Sequence, residues 1–101
     1  MGFLEWFAPS PTRPILLRLD LGGAPCPAFV DIEAQWFPLG ERSESTLISA
    51  SSMLLVPWRT NADRVSLTVR AGAHRARALV TRASNRDGAV LDLLLVSATD
   101  A

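Results

Sequence analysis

The side chains able to do chemistry in this chain are few, and their spacing limits what that chemistry can be. His74 is the one histidine, Cys26 the one cysteine, and lysine is absent. A catalytic base needs a nucleophile within hydrogen-bond reach and a third group to orient it. No second histidine, lysine or serine in a strained strand-to-helix elbow stands ready for His74 to act on. No enzyme activity is therefore expected. One histidine and one cysteine cannot make a clustered zinc site, so neither a metal nor a cofactor is expected. Cys26 lies between Pro25 and Pro27 with no cation close in sequence to activate it, and reads as a bland thiol.

Two groups of residues remain that could recognise something. Arg70, Arg75, Arg77 and Arg82 fall on one expected hairpin, as an anion-facing patch or as a solvated strand face. Trp6, Phe7, Trp36, Phe37 and Trp58 fall in the N-terminal segment or at the expected strand ends, outside the aliphatic alternation. They are the candidate protein interface. Either the N-terminal segment folds over the mouth of the domain and packs these rings into a satellite cluster, or they form an exposed patch of the kind found at interface centres.

The elements that must position these residues are legible as strands. Ile15, Leu17, Leu19 and Leu21 share one parity, with Leu16, Arg18 and Asp20 on the other, which is the alternation of a half-buried strand. Gly22-Gly23-Ala24-Pro25 turns it, and Ala28, Val30, Ile32 and Ala34 alternate with Phe29, Asp31, Glu33 and Gln35 in a strand expected to pair back as a hairpin. Trp36 to Gly40 ends that strand. The polar stretch Glu41 to Ser45 leads to two short strands at a corner, Thr46 to Ser49 and Met53 to Trp58. Val65, Leu67 and Val69 alternate with polar residues before Ala71-Gly72-Ala73, His74 to Ala83 returns, and Ala89 to Val96 makes the last strand. The reading is all-β: a small six- or seven-stranded antiparallel barrel over 13–97, a short N-terminal segment over 1–12, and no C-terminal helix. One domain, 1–101, is expected.

Ten Arg against ten Asp plus Glu leave zero formal charge, which removes the broad basic footprint of a nucleic-acid binder. No nucleic acid is expected as a partner. The apolar runs are far shorter than the roughly 20 residues of a spanning helix, and the N-terminus lacks the pattern of an export signal. No membrane insertion is expected, and the protein should be soluble and cytoplasmic.

The stretch from Ser45 to Val96 resembles a PilZ domain, the small β-barrel module of bacterial cyclic di-GMP signalling. The likeness lies in order and spacing: Leu47-Ile48-Ser49-Ala50-Ser51-Ser52 in the place of the family's Asp-x-Ser-x-x-Gly turn, then Met53-Leu54-Leu55-Val56, Arg64 to Val69, Arg75 to Arg82 and Ala89 to Leu93. The ligand motifs depart from the family. Leu47 replaces the turn aspartate and Ser52 the turn glycine, leaving Ser49. The paired arginines four apart become Arg13 and Arg18, five apart, with Arg18 inside a strand. Cyclic di-GMP is therefore not expected as a ligand. The resemblance implies a degenerate member acting as a non-catalytic adaptor through protein contacts, on a signalling or pilus-assembly protein in type IV pilus or motility regulation. The alternative it leaves is a non-canonical cyclic di-GMP receptor using Arg13, Arg18 or Arg42, with Ser49 as a hydroxyl donor.

Overall fold

Strand alternation and turn chemistry govern the local structure. The computed structural model describes residues 13–48 and 53–97, and no helix occurs among them. Eight strands succeed one another: β1 (Ile15–Asp20), β2 (Phe29–Phe37), β3 (Glu41–Ile48), β4 (Leu54–Val56), β5 (Arg64–Ala71), β6 (His74–Thr81), β7 (Val90–Leu94) and β8 (Val96–Ser97). They form two sheets, ordered β4-β1-β7 and β3-β2-β5-β6-β8. The inner parities named by alternation are the buried ones. Ile15, Leu17, Val30, Ile32, Leu67, Val69, Val80 and Leu93 are buried, and Leu19 and Leu91 pack against them, so residues of both sheets join in one core cluster.

The expected β1–β2 hairpin does not form. β1 pairs with β4, antiparallel, and with β7, parallel, while β2 pairs with β3 and β5 in the other sheet. The turn signal itself is real: Asp20 Oδ1 accepts the Gly22 N–H at 2.9 Å, and the Ala24 N–H reaches the Leu21 carbonyl. The chain then enters Pro25-Cys26-Pro27, where two residues lack the N–H a ladder needs and hold the backbone extended. The segment crosses to the second sheet instead of folding back. β4 and β7 are each entered from the five-stranded sheet, and no two neighbours in the three-stranded sheet are consecutive in sequence.

Two further expectations change. The wholly antiparallel barrel of six or seven strands is replaced by eight strands in two sheets, neither closed on itself among the described residues, with one parallel pair between β1 and β7. The polar stretch from Glu41 to Ser45 is strand, not lead-in: it pairs with β2 in register, and β3 ends the sheet among the described residues, a position where a polar sequence is tolerated. The last strand bends at Leu95: its N–H bonds the Asp20 carbonyl at 2.8 Å, and Val96 then pairs with Arg75 in the other sheet. The β5–β6 hairpin forms as expected. Gly72, at φ +63°, takes the first position of its two-residue turn, where a left-handed backbone matches the strand twist.

Candidate functional site

The arginines of the alternative ligand site are held apart, and two of them already have carboxylates. Arg18 points outward from β1 and lies directly across from Asp92 of β7 in the parallel register. Its Nε donates to Asp92 Oδ1 at 2.6 Å and its second terminal nitrogen to Oδ2 at 3.3 Å, a two-pronged fork on an exposed face. The hydrogen bond, reinforced by the opposite charge, raises the Arg18 pKa further. The same hydrogen bond holds the Asp92 carboxyl below its ordinary value, against a smaller opposing effect of desolvation. Arg42 belongs to the other sheet, on β3, and lies 3.6 Å from Glu33 of β2. Arg13 runs over Gly88: a Cβ there would stand 2.7 Å from Arg13 Cδ. The Arg13 carbonyl accepts the side-chain amide of the buried Asn85 at 2.6 Å. Arg18 and Arg42 therefore sit on different sheets, each against its own acid, and the three do not form one anion cradle. Ser49 lies outside the described residues.

Of the two readings of the aromatic residues, the exposed patch does not hold at Trp36. Trp36 is not in a loop beyond the strand. It lies within β2, continues the buried parity of Val30, Ile32 and Ala34, and is 2% exposed. The gap between two sheets has room for a ring that the aliphatic core of a small barrel did not promise. Trp58 meets it edge-to-face, with centroids 5.3 Å apart and planes at 76°. Trp58 is half-buried, and its indole N–H donates to the Ala62 carbonyl at 3.1 Å. Phe37, on the outer parity, is half-buried beneath the Arg64 guanidinium, 4.9 Å from the ring centroid. Trp6 and Phe7 lie outside the described residues. Arg82 also leaves the proposed arginine patch, because its Nε and a terminal nitrogen both donate to that same Ala62 carbonyl. These contacts tie the 57–63 connection to the end of β6.

Alternation alone did not identify the apolar surface that does stand out. On the outer face of the three-stranded sheet, Leu55, Leu16 and Val90 fall side by side in register. Leu55 is 54% exposed, Leu94 at the far end of β7 is 61%, and Met53 is exposed just ahead of β4. The Arg18–Asp92 fork sits among them. Each residue carries the outward parity of its own strand, so its exposure was legible; its neighbours were not, since the register joins strands up to 74 residues apart.

The outer face of the five-stranded sheet is mixed: the exposed Phe29, Leu79 and Val96 stand on it beside polar and charged side chains. Asp31, Arg70 and Arg75 lie across from one another, and Glu33, Thr68 and Arg77 make the next row. His74 is half-exposed at the start of β6, and Cys26 is exposed. Among the described residues no three His, Cys, Asp or Glu converge as metal ligands, and no helix is long and apolar enough to cross a membrane. Comparison with models of protein families, with curated proteins and with solved structures finds no match to this chain.

Proposed function

We propose that this chain is a non-catalytic, PilZ-like adaptor that works through protein–protein contacts in the bacterial cytoplasm, within cyclic di-GMP-linked signalling of the kind that regulates type IV pili or motility. The observation that carries the reading is the outer face of the three-stranded sheet, where Leu16, Leu55, Val90, Leu94 and Met53 surround one charged fork. Exposed apolar side chains around a paired charge suit a protein interface, where large apolar groups and arginine are enriched. The family part rests on strand order and spacing from Ser45 to Val96. It gains support from the chain passing between the sheets from β3 to β4 and again at Leu95, as it would at the two seams of a small barrel.

The test has two arms. A photo-crosslinking residue at position 94 captures the partner in cells, and the purified pair is then titrated. Leu55→Glu with Leu94→Glu should weaken that binding about a hundredfold, as expected of central interface positions, with the melting temperature unchanged. Unaltered affinity would remove this face as the contact. In the second arm cyclic di-GMP is titrated by calorimetry. No heat of binding is expected, because Arg18 and Arg42 face acids on separate sheets. Tight binding abolished by Arg13→Ala or Arg18→Ala would replace the adaptor with a receptor.

A further inference from the structure

The β5–β6 hairpin carries a second, independent surface. Its two-residue turn makes Ala71 and His74 a hydrogen-bonded pair, so Arg70 and Arg75, the next pair along, are a non-hydrogen-bonded pair. Side chains stand closest together in such pairs, and like charges directly opposite destabilise a sheet. Arg77 comes next on the same face of β6, opposite Thr68. All three arginines are exposed, and among the described residues none of them makes an ion pair. The chain as a whole is neutral. Asp31 faces Arg70 from β2, but no acid lies directly across from Arg75 or Arg77, and these two charges call for an anion above them.

We infer that this strip binds an extended acidic segment of another protein, with carboxylates at alternating positions. The match is geometric. Residues two apart in an extended chain repeat about every 6.6 to 6.8 Å, so an acid-x-acid segment laid along β6 brings one carboxylate to Arg75 and the next to Arg77. A guanidinium meets a carboxylate by a two-pronged fork. Leu79, next on that line and 63% exposed, adds an apolar contact for the residue two further on. The strip is only one hairpin wide, because Asp31 and Glu33 of β2 border it on the same face. That border favours a narrow peptide over nucleic acid, whose continuous phosphates would meet those acids.

The test uses a fluorescein-labelled peptide with Glu at two alternate positions and Leu two further on, read by fluorescence anisotropy on the whole chain. Saturable binding is expected at low salt, and it should fade in about 0.5 M sodium chloride, where surface charges are screened within a few Å. Arg75→Glu with Arg77→Glu should weaken it about tenfold or more, as loss of complementary charge does. Arg86→Glu, in the exposed turn after β6, should leave it unchanged. Arg75→Glu alone should also raise the melting temperature, since it removes the opposed like charges, and this shows that the variants fold. The inference is overturned by no binding, by equal binding of a peptide with Gln in place of Glu, by full binding to the double variant, or by tighter binding of an oligothymidine strand. None of these outcomes touches the apolar face of the other sheet, so the adaptor reading stands or falls separately.

Discussion

Replacing Trp36 by alanine separates a core tryptophan from an interface one. Trp36 heads the fully buried side chains by volume, and its ring packs edge-to-face on Trp58. Removing a buried tryptophan costs about 3 to 5 kcal/mol, of which the ring pair accounts for about 0.5 to 1.5 kcal/mol. A domain of this size is stable by only about 5 to 15 kcal/mol, so the variant is left close to unfolding. At about 4 to 8 °C per kcal/mol for a small domain, the melting temperature falls by about 12 to 40 °C. Trp58→Ala loses less, about 1 to 3 kcal/mol, because Trp58 is half-buried and Arg82 still donates to the Ala62 carbonyl. The assay is urea unfolding monitored by far-ultraviolet circular dichroism, which does not depend on the fluorophore removed. The double variant completes a cycle whose coupling should equal the ring-pair contribution. A loss below about 1 kcal/mol for Trp36→Ala would refute a core role, since that lies under the usual range for large buried rings. A coupling of zero would refute the edge-to-face contact.

Two other outcomes are expected from the fold. Gly88→Ala places a side chain on a backbone with φ +66° and drives its Cβ into Arg13 Cδ. It should cost about 1 to 2 kcal/mol for the left-handed conformation plus the clash, and adding Arg13→Ala should return only the clash portion in urea unfolding. Full recovery, or none, would contradict that division. For Asp92, Arg18's hydrogen bond depresses the folded pKa. Its stabilisation is therefore present above the unfolded carboxylate pKa and lost as pH falls through the folded value. Asp92→Asn should match the wild type's pH trend above about pH 5 and lack part of its decline below about pH 4. The difference is small because the pair is exposed, and identical acid limbs in denaturant midpoints would show that the fork contributes nothing.

The sequence by itself determined which residues face inward, since alternation is a local property. The parity of Ile15 and Leu17, or of Val65 and Leu67, holds whichever strand lies alongside. It also determined the β5–β6 hairpin, because a two-residue turn with a glycine allows one pairing. Trp36 was within reach of the same reasoning: the parity from Val30 to Ala34 runs on through it, and ending the strand at Gln35 hid this. Only the tertiary structure decided which strands meet. β1, β4 and β7 are each joined to partners distant in sequence, and no local rule selects among distant partners whose apolar faces look alike. That pairing brings Asp92 to Arg18, aligns Leu55 with Leu16 and Val90, and leaves Arg42 on the opposite sheet. A binding surface is made of side chains from several strands, and their adjacency is set by register across the sheet, which the order of residues along one strand does not contain.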